Sequence, residues 1–261
     1  MKTAIYTRNN SSELDEGRQA LENALLQRGI QIVDNWSADA PVDIIISIGG
    51  DGTLLSAVHK IGPSGIPVVG LNFGHLGFLT TAGRDDIELL ADSLINRRYT
   101  IEQRSLLQVE TPDTQLFALN EVYLHRGELA PLLHTQVQVD DFDVATYAAD
   151  GLIVATPTGS TAYSLSCGGP ILAPDSRSLV ITPIAAHTLT LRPLVVSDNS
   201  TIRLSNSDPS MVCTLGADSY VTTLSGRCTV VIRKADYQIS LVRLEQQTFY
   251  TAIRNKLMWG R

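Results

Sequence analysis

Gly49-Gly50-Asp51-Gly52-Thr53 sets one carboxylate among three glycines, directly after the apolar run Val42 to Ile48. Glycine accepts positive φ and has no Cβ, so such a loop lets a phosphate or a sugar come close to the backbone. The Thr53 hydroxyl is expected to cap the helix that follows, whose N-terminus attracts anions. Alone, the motif fits a tight strand-to-helix turn with a capping Asp51 equally well. A second stretch, Asn120-Glu121, interrupts the β-like segment FALNEVYLHRG. Polar atoms in an apolar strand must be satisfied, by an internal network or by a ligand, and an amide beside a carboxylate suits ribose hydroxyls. A third runs from Asp150 to Ser166 (DGLIVATPTGSTAYSLS) and on to Gly168-Gly169-Pro170. Its hydroxyls and free backbone amides suit a neutral cradle for a nucleotide's sugar and phosphates, and Tyr163 offers a ring face. Thr182 to Leu189 and Leu191 to Val196 read, alone, as a loop between strands.

These stretches need elements to hold them. Thr3 to Thr7 reads as a strand. A helix from about Glu13 to Arg28 follows, capped by Ser11 or Ser12, with Leu14, Ala20, Leu21, Ala24 and Leu25 as its apolar stripe and Gly29 as its C′ residue. IQIV, VDIIISI and IPVVGLN read as further strands, TLLSAVHKI and about Asp85 to Arg97 as helices. Strand-helix alternation predicts a doubly wound α/β sheet, which binds ligands at the carboxyl ends of its strands, where GGDGT and GHLGF both fall. After Arg98 the texture changes to many short alternating stretches separated by turns, the pattern of an antiparallel β domain. The expected division is an α/β domain over 1–98 and a β-rich domain over 99–245. The helical tail 246–261 is expected to return to the first domain.

Composition narrows the function. A hydrophobic fraction of 44% and 18% charged residues describe a folded soluble protein. A net charge of -7 argues against broad nucleic-acid or anionic-membrane binding. No run is long enough to span a membrane, and MKTAIYTRNN lacks a signal peptide's apolar stretch. Three cysteines (Cys167, Cys213, Cys228) without metal spacing fit reduced, mostly buried thiols in a cytoplasm. The five histidines show no metal-ligand spacing, and neither a P-loop nor a G-x-G-x-x-G fingerprint is present.

Together, GGDGT, GHLGF, LNE, DGLIVATPTGSTAYSLSCGGPI and TPIAAHTL…RPLVV, with ADSY (Ala217 to Tyr220) and the tail KLMW, closely resemble the NAD kinase family. The resemblance implies a Rossmann-like α/β N-terminal domain and an all-β C-terminal domain. It implies ATP-dependent phosphorylation of the 2′-hydroxyl of the adenosine ribose of NAD, giving NADP. It further implies Mg²⁺ on the nucleotide phosphates, with no protein ligand identified, and a homodimer or homotetramer. Position by position, Asp51 resembles the general base and Gly52 its close-approach neighbour. Asn120 and Glu121 resemble the ribose pair. Asp150 and Thr161, Ala162, Tyr163, Ser164, Leu165 and Ser166 resemble the adenosine and nicotinamide-side pocket. Ala185 resembles a contact made across a subunit interface, and Tyr220 a further NAD contact. Many relatives carry an arginine two positions before the aspartate matching Asp150, where this chain has Ala148, so a basic contact is missing or supplied elsewhere. The rival readings are another GGDGT-type kinase, acting on a lipid or sugar phosphate, and a dinucleotide sensor without turnover.

Overall fold

The computed structural model describes residues 1–8, 12–74, 77–127, 132–244 and 248–259. The Ser11 cap, His75 and Leu76 of GHLGF, and Gln246 at the expected start of the tail lie outside the described residues. The chain divides into two compact units, 1–104 with 238–261, and 105–237.

The first unit is built on parallel strands. β1 (Lys2–Thr7), β2 (Gln31–Ile32), β3 (Ile44–Ile48) and β4 (Val68–Asn72) lie in the order β2-β1-β3-β4, with the two-residue β5 (Ala82–Gly83) beside β4. Ile44 to Ile48 are buried at every position, as a central strand covered on both faces requires. The helices are α1 (Ser12–Gln27), α2 (Asp51–Ile61) and α3 (Ile87–Ile95). α1 buries Leu21, Ala24 and Leu25 on the sheet and on Leu90 and Leu94 of α3, while Ala20 of the expected stripe is exposed. Gly29 stands at φ 71, as a residue just past a helix C-terminus should. The expected Thr53 cap is not made. α2 begins two residues earlier, with Gly50 at the cap position in extended conformation and no side-chain cap bond. The helix at 85–97 is also shorter than expected: residues 84–86 form a 3₁₀ turn and Arg97 takes φ 54, which ends it.

The second unit is antiparallel. Its strands are the later part of β6 (Tyr99–Glu110), then β7 (Gln115–Ala118), β8 (Glu121–Arg126), β9 (Leu133–Val139), β10 (Phe142–Ala149) and β11 (Gly151–Ala155). A single turn of helix, α4 (Tyr163–Ser166), precedes β12 (Ser178–Ile184), β13 (Leu194–Ser197), β14 (Ile202–Asn206), β15 (Val212–Ala217) and β16 (Tyr220–Ser225). The 17-residue β17 (Cys228–Leu244) then runs out of this unit into the first, where its end lies parallel to β4, and α5 (Phe249–Leu257) follows. One sheet has the order β13-β12-β11-β8-β15-β16, and β10-β9-β14-β17 forms a second layer. Leu124, Leu152, Leu179 and Leu215 from the first pack with Val137, Leu204 and Val230 from the second. Of the three thiols only Cys213 is fully buried, and all three are free.

Candidate active site

The structure places Asp51 against the chain carrying GHLGF in the first unit, and Asn120 and Glu121 against the 156–166 stretch in the second. In the first unit, Asp51 is the opening residue of α2 and follows the carboxyl end of β3. Its carboxylate reaches the chain that carries GHLGF. The backbone N–H of Phe78 donates to Oδ2 at 2.8 Å, and those of Leu79 and Thr80 donate to Oδ1 at 3.2 Å each. Gly77 makes this approach possible, because a Cβ there would overlap the Asp51 carboxylate. The Gly77 N–H in turn donates to Thr80 Oγ1 at 2.6 Å, which closes the loop on itself. Among the described residues Oδ2 accepts one of these bonds and Oδ1 two, which leaves Oδ2 a lone pair for a proton. Gly52, next in α2, is exposed with nothing near its Cα hydrogens.

The second constellation gathers at one end of the central strands β8 and β11. Asn120 sits in a bend before β8, and Glu121 is that strand's first residue, opposite Ala155 of β11. The expected continuous strand is therefore broken at Asn120, for a reason that lies 97 to 99 residues away. The Asp218 carboxylate accepts the backbone N–H groups of Leu119 (2.7 Å), Asn120 (2.9 Å) and Glu121 (3.2 Å). Asp218 occupies the turn of the β15–β16 hairpin at φ 49, and its own N–H returns to Glu121 O at 3.0 Å. On the other side, Thr156 donates its N–H to Asn120 O (2.9 Å) and its hydroxyl to Leu119 O (2.6 Å). Gly159 packs so closely on the Asn120 backbone that a Cβ would overlap it. Two segments, the hairpin tip and the 156–159 turn, thus clamp Leu119 to Glu121.

Glu121 is only 8% exposed, and its Oε2 is buried with no hydrogen-bond partner among the described residues. Burial pushes its carboxyl up to about 7, the nearby Asp218 charge adds to the rise, and the backbone N–H of Tyr163 opposes it. A buried carboxylate oxygen without a donor is a costly arrangement unless a ligand supplies one.

The remaining predicted residues do not all lie beside this dipeptide: Asp150 and Ala185 flank the other end of β11, where Gly151 pairs with His125 and Ile184. The Tyr163 ring stands edge-on to Tyr123 at 5.9 Å and is part-exposed, which leaves a face for a ligand ring. Thr161 closes its 3₁₀ turn through Thr158 O at 3.2 Å, and Ala162, Leu165 and Ser166 flank the same turn, half-buried or exposed. Ser164 is fully buried and its hydroxyl bonds Thr182 Oγ1 at 2.8 Å, so its side chain serves the fold. Asp150 pairs with Arg126 Nε of β8 at 2.6 Å. A cation therefore stands beside Asp150 although position 148 is alanine. Ala185 is exposed at φ 47, one residue past β12, and Tyr220 is exposed at the start of β16. A separate cavity of about 660 Å³ in this unit, lined by His134, Gln136, Arg227 and Cys228, contains none of the predicted residues. Asp218 and Arg126 carried no local signal beyond ADSY and a lone basic residue in a strand.

Among the described residues no group of three or more His, Cys, Asp or Glu side chains is arranged to hold a metal, and no helix is long and apolar enough to cross a membrane.

Comparison with known proteins finds relatives for both parts of the chain. Residues 33–99 match the family model for the ATP-NAD kinase N-terminal domain, and residues 119–244 that for the C-terminal domain. An NAD kinase of Christiangramia forsetii is 41% identical over 228 residues, covering 85% of this chain and 78% of that protein. One of Bacteroides fragilis is 40% identical over 222 residues, covering 84% of this chain and 77% of its own length. Among solved structures, an NAD kinase from Archaeoglobus fulgidus in complex with ATP superposes with a TM-score of 0.80 at 25% identity, covering 99% of this chain and 98% of that one. A yeast NADH kinase complexed with NADH gives a TM-score of 0.88 at 24% identity, covering all of this chain and 88% of its own, and supports the fold. Neither a lipid or sugar-phosphate kinase nor a sensor without turnover is favoured by these relatives. Matches to both halves, together with two-fifths identity over most of the length, show that the chain belongs to the ATP-NAD kinase family.

Proposed function

We propose that this protein transfers the γ-phosphoryl group of ATP to the 2′-hydroxyl of the adenosine ribose of NAD, giving NADP, with Asp51 as the general base. A ribose hydroxyl is a poor nucleophile at neutral pH, so a fixed carboxylate must take its proton as the bond to phosphorus forms. The observation that supports Asp51 is its carboxylate, pinned by three backbone amides with one lone pair left on Oδ2. The glycines on either side keep the backbone open to a sugar.

Asn120 and Glu121 are assigned to the ribose hydroxyls, the Tyr163 ring to a base of the dinucleotide, and Asp150 with the turn at 161–166 to the rest of it. Ionised Glu121 accepts hydroxyl protons at its unpartnered Oε2, so a bound sugar satisfies what the fold leaves open. Mg²⁺ is assigned to the ATP phosphates as part of that substrate. Among the described residues the acidic side chains do not form a metal cage. Ala185, exposed in a left-handed turn, is assigned to a contact with a second copy in a homo-oligomer, and the protein to the cytoplasm, which suits its free thiols.

Incubating the purified protein with NAD, ATP and Mg²⁺ should yield NADP phosphorylated at the 2′ position. Phosphorylation of a lipid or sugar phosphate in its place, or tight NAD binding without any product, would overturn the assignment.

A further inference from the structure

Asp51 is oriented by amides that are themselves held from behind. Arg243, near the end of β17, is 7% exposed. Its Nη2 donates to Phe78 O at 2.9 Å and its Nη1 to Leu79 O at 3.2 Å. Each of these carbonyls shares a rigid peptide plane with the next residue's N–H. The plane of Phe78 C=O carries the Leu79 N–H, and that of Leu79 C=O carries the Thr80 N–H. Those two N–H groups are the donors to Asp51 Oδ1. One guanidinium thus fixes both planes that meet one carboxylate oxygen.

Arg243 is fixed in its turn. Its Nε donates to Glu102 Oε2 at 3.1 Å, and Arg104, 3% exposed, pairs with the same carboxylate. Lys256 of α5 lies 5.0 Å from the Phe78 ring centroid and braces the loop from another side. Burial and the neighbouring Arg104 both disfavour the charge on Arg243, and Glu102 and Asp51 oppose them. A buried ionic cluster is weak support for stability, since apolar replacements are often as stable. A planar fork that spans two carbonyls and a carboxylate is instead a device for geometry.

We propose that Arg243 is a positioning residue for phosphoryl transfer, setting the orientation of Asp51 through the peptide planes of Phe78 and Leu79. The proposal rests on Asp51 acting as the base. Its test is steady-state kinetics of Arg243→Met, Arg243→Lys and Glu102→Gln with NAD, ATP and Mg²⁺, in both the native and the Asp51→Asn backgrounds, alongside thermal melting. Arg243→Met should lower kcat by about ten- to a hundredfold, the scale of a misplaced catalytic group. Its KM for NAD should stay within about threefold, because the NAD-binding side chains are untouched. Arg243→Lys should recover part of kcat, since an ammonium reaches one carbonyl but not both, and should carry the test if the methionine variant does not fold. On an Asp51→Asn background Arg243→Met should cost nothing further. Wild-type kcat in a folded Arg243 variant, a loss confined to KM, or a full additional loss on the Asp51→Asn background overturns the positioning role while leaving Asp51 as base. Near-normal turnover of Asp51→Asn alone removes the base assignment and this proposal with it.

Discussion

Burial governs the behaviour of Glu121. Its carboxyl, ordinarily near 4.5, rises to about 7 in the fold, so the folded protein holds a proton there that the unfolded chain has released. Stability from this group is complete below the unfolded value and is lost as pH climbs from about 4.5 to about 7. Over the whole displacement the effect is on the order of 3 kcal/mol. Glu121→Gln should therefore melt at a higher temperature than wild type at pH 8, with the gap closing at pH 4, as calorimetry across that range would show. The same residue should link NAD affinity to pH. Titration calorimetry should find binding strengthening from pH 6 to pH 8 as the carboxylate ionises, and Glu121→Gln should bind weakly with no such trend. Sequence alone marked this residue through its polarity within an apolar strand. It could not mark the unpartnered Oε2, because burial is a property of packing.

At the scale of elements, each constellation depends on a loop that grips another segment by its backbone. Gly77 lets Asp51 into the 78–80 amides. Gly77→Ala should displace the carboxylate and lower kcat by about a hundredfold, while overpacking destabilises the fold by about 1–3 kcal/mol. A melting curve with a kcat measurement separates the two effects. The tip of the β15–β16 hairpin does the corresponding work for Asn120 and Glu121. Asp218→Ala removes three charge-assisted bonds and should cost about 2–4 kcal/mol of stability, read by urea denaturation, with weaker NAD binding. The parallel strands and most of the antiparallel ones were legible from apolar runs, alternation and turn residues. The clamps were not. Asp51 finds its amides 27 to 29 residues on, and Asp218 finds its own 97 to 99 residues back, distances that no local spacing encodes. The early start of α2 was hidden for a related reason. The side chain of Asp51 is drawn off to that distant loop, and a plain Gly50 takes the cap position that Thr53 was expected to serve.

Across the whole molecule, the GGDGT loop belongs to an α/β unit and the LNE and TPTGSTAYSLS stretches to a β-rich one, and both family models match in that order. A phosphotransferase of this kind needs an acceptor site and a base, and under the proposed assignment each has its own backbone clamp. A net charge of -7 gives no long-range attraction to anionic substrates, so their binding would rest on local amide and hydroxyl donors. The proposed role of Asp51, taking the proton of the NAD 2′-hydroxyl, is tested most sharply by comparing Asp51→Asn with wild type in a single-turnover assay of NADP formation, with NAD binding measured on the same samples. Amide for carboxylate keeps the size and removes the base, at the cost of the Phe78 N–H bond, which an NH2 group cannot accept. NAD affinity should stay within about threefold of wild type while the rate falls by about a hundredfold or more, the scale of general-base loss. NADP formation at a near-normal rate by Asp51→Asn would contradict that role.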